Sequence, residues 1–304
     1  LIMPKVSVCI PTYNTANYLP YAIDSVLNQD YQDYELVICD DASTDNTAEI
    51  VARYQETTPW ITLINKEKRE NKGDRQRGKG VVDTFYFGRD RLSHTDYDFI
   101  IKLDGDVSFK PTYFETMLKK FADNPKLGIT GGGLYERTNG ENWSLISAPD
   151  HVGGPNKMYR RTCFDAIGGI VSALGWDGLD EWQALAQSWE VESFEEEPIY
   201  HYRIMGNATG LMKARVEQGY GAHYMGYHPL YTLFRSAKHF LIRPYVIGGI
   251  AMAYGYFQAI SQNREQLPDP DLKQFIQKTQ WDQLKGALRG TRVYKNGSSD
   301  SLVR

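Results

Sequence analysis

The sequence predicts an α/β fold in which a mostly parallel central sheet is flanked by helices. Two observations indicate this class. Short apolar runs, typical of buried strands, alternate with stretches of helical periodicity through the first third of the chain. Polar residues follow directly after several of these runs, where ligand sites of parallel sheets lie. The length of 304 residues suits one large domain, or one domain with an appended region.

The first predicted element is a strand over residues 6–10, which ends at Pro11. A helix over 17–28 follows, because its apolar residues recur at helical spacing. The alternation continues, and it implies right-handed crossovers between parallel strands. The remaining elements of this part are strands at 35–39, 61–65 and 99–103 and helices at about 46–55 and 81–91.

Beyond residue 110 the pattern is less regular. A strand is predicted at 128–134, and the chain is mainly helical from about residue 207. We therefore predict a first domain over 1–206, with halves of about 1–110 and 111–206. A helical C-terminal extension over 207–304, with a disordered tail from residue 298, completes the division.

The bulk composition bears on the binding partners and the cellular compartment of the protein. A net charge of -4 gives no support for nucleic-acid binding. Three cysteines without paired spacing favour a reducing compartment. No signal peptide is visible, and the most apolar stretch, 245–260, is interrupted by glycines and polar residues. These features predict a cytoplasmic protein.

The most informative motif is Asp104-Gly105-Asp106, directly after the apolar run 99–103. Two carboxylates one residue apart at the end of a buried strand repel each other and lose hydration. A hard divalent cation such as Mg²⁺ or Mn²⁺ compensates for both costs, and it commonly carries phosphate oxygens. Two carboxylates capping the following helix are the structural alternative.

Together with two earlier motifs, this segment resembles the family 2 glycosyltransferases over roughly residues 5–205. The earlier motifs are the strand and turn ending in Pro11-Thr12-Tyr13-Asn14 and the acidic turn beginning with Asp40-Asp41. The resemblance implies a nucleotide-sugar-binding fold of the type named GT-A. It also implies an inverting, metal-dependent transfer of a sugar from a nucleoside diphosphate.

The resemblance also assigns donor-binding roles. Tyr13 would stack on the base, and Asp41 would accept a hydrogen bond from the imide of a ring such as uracil. Asp40 would stabilise the turn or contact the ribose. Packing for Tyr13 and helix capping for Asp41 are the alternatives. The implied donor-binding set is Pro11, Thr12, Tyr13, Asn14, Asp40, Asp41, Arg77, Asp104 and Gly105.

Arg77 belongs to a segment in which glycine replaces the asparagine of the family pattern. Its guanidinium is a candidate contact for the diphosphate or the sugar, with a solvated basic loop as the alternative. Asp106 would bind the metal, Mn²⁺ or Mg²⁺, that bridges the two phosphates. His201 matches a position where related enzymes place a metal-ligating histidine, and a structural hydrogen bond is its alternative role.

The resemblance also implies a catalytic base, the aspartate of a Glu-Asp pair. Here the order is reversed to Asp180-Glu181, which aligns Glu181 with the base, and either carboxylate is a candidate. An acidic helix N-terminus is the structural alternative. Trp176 and Asp177, just before the pair, are assigned to the acceptor pocket.

The C-terminal extension carries no catalytic motif. Basic residues such as Lys213, Arg215, Lys238 and Arg243, with aromatic neighbours, suggest contact with a lipid surface at the inner face of the membrane. A helical extension that packs on the domain or forms a homodimer is the alternative.

The predicted function is the transfer of a sugar, most simply from a UDP-sugar, to a hydroxyl acceptor on a saccharide or a lipid. Bacterial polysaccharide or glycolipid synthesis is the predicted setting. Two rivals remain. A non-catalytic binding protein would keep the pocket without turnover, and a sugar nucleotidyltransferase would need a glycine-rich phosphate loop that Pro11–Asn14 does not provide. The sugar, linkage and oligomeric state are beyond the sequence.

Overall fold

The computed structural model describes residues 4–67, 79–93, 95–138, 142–203, 210–241, 245–295 and 299–301. The chain divides into two compact units. The first comprises Leu1–Ser172 and Gln187–Ile204, and the second comprises Ala173–Ala186 and Met205–Arg304. The predicted division at residue 206 assigned 173–186 to the first domain, whereas their contacts group them with the second unit.

The first unit is built on one mixed sheet. Among its described residues nine strands join, in the order β3-β2-β1-β4-β8-β6-β9-β5, with β7 paired to β6. The strands are β1 (Val6–Thr12), β2 (Tyr34–Asp40), β3 (Thr62–Asn65), β4 (Phe99–Leu103), β5 (Val107–Ser108), β6 (Leu127–Thr138), β7 (Asn142–Leu145), β8 (Asn156–Arg160) and β9 (Glu190–His201).

The first four strands form the parallel part that the sequence predicts. β1 pairs in parallel with β2 and β4, and β2 pairs in parallel with β3. Both β1 and β4 are buried along their whole length, which explains their nearly continuous apolar sequences. β8 then pairs antiparallel with β4, so the sheet is mixed beyond this point. An α/β fold with a largely parallel sheet and flanking helices is confirmed.

Five helices belong to the first unit: α1 (Leu19–Leu27), α2 (Thr47–Thr57), α3 (Lys79–Arg89), α4 (Tyr113–Asp123) and α5 (Arg161–Ala166). Their apolar faces pack on the sheet. α4, for example, buries Phe114, Met117 and Phe121 at helical spacing. These side chains join β1, β4 and α1 in one hydrophobic core. The core fixes the strands whose ends carry the predicted site.

The second unit is mainly helical. It contains α6 (Trp176–Ala186), α7 (Leu211–Tyr224), α8 (Pro229–Lys238), α9 (Ile247–Ser261) and α10 (Pro270–Leu288), with a 3₁₀ turn at His239–Leu241. Two short strands, β10 (Thr291–Val293) and β11 (Ser299–Ser301), pair antiparallel after α10. The tail predicted to be disordered from residue 298 therefore includes a paired strand. No helix in the described ranges is long and apolar enough to cross a membrane.

Candidate functional site

Three loops at the carboxyl ends of parallel strands form the candidate site of the first unit. The register of β1 and β2 pairs Thr12 with Asp40, so the loops after both strands begin at one level. The loop after β4 follows the same edge, because β4 pairs with β1 in parallel. Ligands of such sheets bind at this edge. The three predicted motifs are thus brought together by strand register.

A cavity of about 180 Å³ lies at this edge. Pro11 and Thr12 line it from the end of β1, Tyr13 from the loop after β1, and Asp41 from the loop after β2. The N-terminal turns of α3 complete the wall. The lining residues contributed by α3 are Gly80, Val81 and Thr84. An aromatic ring and a carboxylate in one cavity are the groups that bind a nucleobase by stacking and by accepting a hydrogen bond.

Lys66, which the sequence reasoning missed, is a cation beside this cavity. Its Nζ lies 3.1 Å from Asp41 Oδ1 and donates to Thr84 Oγ1, also at 3.1 Å. The Lys66 and Asp41 side chains are 8% and 7% exposed. Thr84 Oγ1 in turn donates to the carbonyl of Gly80. The ion pair therefore fixes Asp41 against the first turns of α3.

Asp40 and Asn14 are used to hold the loops together. Asp40 accepts hydrogen bonds from the backbone N–H and the hydroxyl of Ser43, as the predicted turn role requires. Asn14 Oδ1 accepts the N–H of Thr44 at 2.8 Å, and Ser43 Oγ accepts the N–H of Asn14 at 2.9 Å. These bonds connect the loop after β1 to the loop after β2.

Asp104 pairs with a buried cation of its own strand. Lys102, 1% exposed on the side chain, donates to Asp104 Oδ1 and, at 2.8 Å, to the carbonyl of Gly154. Burial, with the charge of Asp106, raises the pKa of Asp104 despite Lys102. Gly105 packs closely against β1 and α1, since a Cβ there would lie 3.1 Å from Leu19 and 3.2 Å from Thr12. The small residue lets the turn approach the end of β1.

Asp106 contacts His201 and Arg203 directly, and Glu136 contacts His201 in turn. His201 Nε2 is 3.5 Å from Asp106 Oδ1, and Arg203 Nε is 3.2 Å from Asp106 Oδ2. Glu136 Oε1 is 2.8 Å from the other ring nitrogen, His201 Nδ1. Arg203 also donates to the carbonyl of Asn14 at 3.2 Å. Arg203 therefore links the metal-site candidate to the loop after β1.

The charges in this cluster shift its titration. Burial alone would raise the pKa of Asp106, but contacts with His201 and Arg203 hold it below the usual value. Burial alone would lower the pKa of His201, but the carboxylates of Asp106 and Glu136 outweigh it and raise the pKa to about 9. These contacts favour the ionised carboxylate of Asp106.

The donor atoms of this cluster fit a divalent cation. Asp106 Oδ1 is buried, and no hydrogen-bond donor reaches it among the described residues. His201 faces it with Nε2, while Glu136 holds Nδ1, as carboxylates do behind metal-bound histidines. The described ranges hold no group of three or more His, Cys, Asp or Glu side chains arranged as a metal site. A cation here would complete its shell with oxygens of a bound ligand and water.

The two candidates for the catalytic base lie on α6 of the second unit. Asp180 and Glu181 are both fully buried, and Asp180 Oδ1 accepts the N–H of Glu181 at 2.8 Å. Lys295 Nζ, from the turn after β10, lies 2.8 Å from Glu181 Oε2. Trp176 and Asp177 occupy the first turn of the same helix. The two carboxylates are therefore part of the interior of this unit, and Lys295 compensates one of them.

Arg77 lies outside the described residues. Five charged partners of the predicted residues were not anticipated: Lys66, Lys102, Glu136, Arg203 and Lys295. Arg203 directly follows the Tyr200-His201-Tyr202 segment, and Lys66 directly follows β3, so each stands at a strand end where a site residue is expected. Glu136 and Lys295 carry no such positional signal.

The family comparison addresses the first half of this site. Residues 7–81 match the model of "Glycosyl transferase family 2", which includes the motifs ending β1 and β2. This match supports the family 2 assignment. It covers Lys66 and every residue that lines the cavity except Thr84, and it stops before Asp104.

Two curated relatives are similar to this chain over different lengths. Chondroitin synthase of Pasteurella multocida is 30% identical over 154 residues, 48% of this chain and 14% of the relative. Poly-beta-1,6-N-acetyl-D-glucosamine synthase of Staphylococcus epidermidis is 21% identical over 77% of this chain and 58% of the relative. The chain thus spans less than two thirds of the length of these relatives.

Two solved structures share the fold. Mannosyltransferase PcManGT from Pyrobaculum calidifontis, in complex with GDP-Man and Mn²⁺, superposes with a TM-score of 0.54 at 16% identity, covering 95% of this chain and 87% of that one. TarS residues 1–349 from S. aureus, in complex with UDP, gives 0.52 at 14% identity, covering 85% and 72%. At such identities the likeness establishes the fold.

Proposed function

We propose that the protein is an inverting glycosyltransferase that moves a sugar from a nucleoside diphosphate sugar to a hydroxyl acceptor. The observation that carries this proposal is the strand-end cluster of the first unit. There the buried Asp106 carboxylate lies next to His201 and Arg203. Arg203 also donates a hydrogen bond to the carbonyl of Asn14, in the loop whose Tyr13 lines the cavity together with Asp41. In this proposal the cavity holds the nucleobase and the Asp106 cluster holds the diphosphate, both at one edge of the sheet.

The donor is proposed to be a UDP-sugar. Tyr13 stacks on the uracil ring, and Asp41 accepts the hydrogen bond of its imide N–H, which an acceptor-only carboxylate selects. Lys66 holds Asp41 in place through its 3.1 Å ion pair. The UDP complex of the structural neighbour TarS is consistent with this choice.

Asp106 Oδ1 and His201 Nε2 are proposed to hold Mn²⁺ or Mg²⁺. When bound, such a cation neutralises charge that develops on the departing diphosphate. Glu136 fixes the ring of His201 through Nδ1, and Arg203 fixes the other oxygen of Asp106. Arg77 is proposed as a further contact of the diphosphate, and Asp104 and Gly105 as contacts of the ribose or the sugar.

The base is assigned to the Asp180-Glu181 pair. A buried carboxylate near aromatic side chains suits removal of a proton from the acceptor hydroxyl, because desolvation favours its protonated form. Glu181 is ion-paired with Lys295, whereas Asp180 Oδ1 accepts the backbone N–H that follows it. Separate Asp180→Asn and Glu181→Gln variants assign the role to one of them. Trp176 and Asp177 are proposed to contact the acceptor.

The acceptor is proposed to be a growing saccharide or a glycolipid at the inner face of a bacterial membrane. The names of two relatives, chondroitin synthase and poly-beta-1,6-N-acetyl-D-glucosamine synthase, describe polysaccharide synthesis. A cytoplasmic enzyme with access to the membrane surface suits such an acceptor.

Release of nucleoside diphosphate from a panel of UDP- and GDP-sugars, with Mn²⁺ and with saccharide acceptors, tests the proposal. We expect release from one donor, with a loss of at least about 10- to 100-fold in Asp106→Asn, because removing even a residue that supports a metal ligand costs that much. Asp96→Asn is the matched control, since the Asp96 side chain is 66% exposed and its ion pair with Lys5 lies at the surface. Release from no donor, or equal rates in Asp106→Asn and the native chain, would contradict the proposal.

A further inference from the structure

Helix α9 of the second unit is apolar on every side. Its 15 residues, IGGIAMAYGYFQAIS, include no charged side chain. A helix of this kind is normally enclosed by protein or lipid, because a polar face is what makes a surface helix soluble. The described part of the chain encloses only one side of α9.

The enclosed side is lined by small residues in close contact with α7 and α8. A Cβ at Gly255 would lie 2.1 Å from the carbonyl oxygen of Val216, and one at Gly249 would lie 2.2 Å from that of Ser236. Gly219 of α7 approaches Met252 of α9 in the same way. These contacts fix the rotation of α9 about its axis, because no larger side chain fits between the helices.

The opposite side of α9 is exposed and apolar. Residues three or four positions apart on a helix share a face. The exposed residues of this face, with their exposed fractions, are Ile247 (57%), Ile250 (55%), Tyr254 (57%), Phe257 (41%) and Ile260 (41%). Tyr245 and Val246, which precede the helix, extend it with 58% and 48% exposure. We name these seven residues the α9 face.

Basic side chains adjoin the N-terminal end of this face. Phe240 contacts Gly249 and accepts the N–H of Val246 through its carbonyl at 3.1 Å, so the 3₁₀ turn lies beside the start of α9. Burial and the charges of Arg215 and Arg235 lower the pKa of His239, in the same turn, to about 4. Two guanidinium groups therefore lie near the turn that touches the face.

The charge of this region differs from that of the whole protein. Residues 211–264 contain six basic and one acidic side chain, a net charge of +5, whereas the whole chain has a net charge of -4. Apolar side chains beside clustered cations are the combination that binds an anionic bilayer. A second copy of the same face would instead bring like charges together.

We propose that the α9 face docks on the surface of an anionic lipid bilayer. At 1.5 Å per residue α9 is roughly 22 Å long, less than the roughly 30 Å of a hydrocarbon core, so the helix lies along the interface. Tyr254 and Phe257 enter the boundary between headgroups and acyl chains, and the basic residues meet anionic headgroups. The proposal concerns binding, and it holds whether or not the proposed transfer reaction occurs.

Flotation with lipid vesicles tests the proposal on the full chain. Vesicles of phosphatidylcholine are compared with vesicles that also contain phosphatidylglycerol. We expect the native protein to float with the anionic vesicles and to be released by high salt, because salt screens the headgroup attraction. Ile250→Glu and Phe257→Glu place charges at exposed positions and should each reduce binding at least about tenfold. Failure of the native protein to float would overturn the proposal.

Trp60→Glu is the matched control. Trp60 is 50% exposed and belongs to the first unit, so the substitution removes an exposed apolar side chain that is not part of the α9 face. This variant should float like the native protein, and circular dichroism should confirm that all variants are folded. Equal flotation of Ile250→Glu and the native chain would overturn the proposal. So would a dimer in light scattering that Ile250→Glu dissociates, because the face would then be covered by a second copy.

Discussion

Ala42, in the loop after β2, has a backbone conformation that its side chain disfavours. Its φ of 57° lies in the left-handed region, as does the φ of 49° at Asn14 in the facing loop. Asparagine tolerates this region, whereas an alanine there costs roughly 1–2 kcal/mol. Both residues adjoin lining residues of the cavity, Tyr13 and Asp41. The strain is therefore stored where the loops meet at the proposed donor site.

Replacing Ala42 with glycine should relieve this strain. We expect Ala42→Gly to raise the free energy of unfolding by about 0.5–1 kcal/mol, after the larger chain entropy of glycine is deducted. Chemical denaturation checks this value. Ala52→Gly, at an exposed position of α2, should instead lower the stability by about 1 kcal/mol. If both substitutions lowered the stability, strain at Ala42 would be refuted.

The ion pair between Lys66 and Asp41 gives a second prediction. Lys66→Met leaves the buried Asp41 carboxylate without this cation, and breaking such a pair costs about 3 kcal/mol. We expect that loss in chemical denaturation. Lys126→Met is the control, because Lys126 is exposed and should change stability by no more than about 0.5 kcal/mol. A loss equal in the two variants would show that the pair contributes nothing specific.

At the residue scale, the sequence predicted the acids of the site better than their partners. Asp41, Asp104 and Asp106 follow apolar runs, and a buried carboxylate at a strand end already signals a ligand. The cations Lys66 and Arg203 reach them across the sheet edge from other loops. Which cation pairs with which acid depends on loop paths, and periodicity carries no information about these.

At the element scale, β1 and β4 were predicted well because both faces of these strands are buried. A strand such as β4, buried at every residue, needs apolar side chains throughout, and the pattern is visible without context. β9 contains three consecutive glutamates at 195–197, and its register against β6 shifts at two points. Its pairing is set by tertiary contacts, so local sequence did not predict it.

The hairpin of β10 and β11 was missed, and its second strand lies in the tail that was predicted to be disordered from residue 298. Lys295, in the turn after β10, gives this element a measurable role through its 2.8 Å contact with the fully buried Glu181. Lys295→Met should lower the free energy of unfolding by about 3 kcal/mol, since it removes the cation of a buried pair. Thermal or chemical denaturation measures the change.

Lys285→Met is the matched control for the hairpin contact. Lys285 lies on α10, is 62% exposed and faces Asp282 at 3.7 Å, so its pair is worth at most about 1 kcal/mol. A loss in Lys295→Met no larger than in this control would mean that the hairpin does not stabilise Glu181.

At the scale of the whole molecule, the two units carry different parts of the proposed chemistry. The cavity and the Asp106 cluster belong to the first unit, and Asp180 and Glu181 belong to the second. The sequence placed all of these residues in one domain over 1–206, because motif order along the chain does not report which unit a segment packs in. Helix α6 joins the second unit through contacts such as the 2.9 Å hydrogen bond from Trp182 to Tyr227.

The central claim is that the Asp106 cluster binds a nucleoside diphosphate through a divalent cation. Isothermal titration calorimetry of UDP and GDP, with and without Mn²⁺, tests it most directly on the native chain and on Asp106→Asn. We expect binding of one nucleotide that requires Mn²⁺ and weakens at least about 10- to 100-fold in the variant, since losing even a residue that supports a metal ligand costs that much. Nucleotide binding that is unchanged by Mn²⁺ and by the substitution, or no binding at all, would contradict the account.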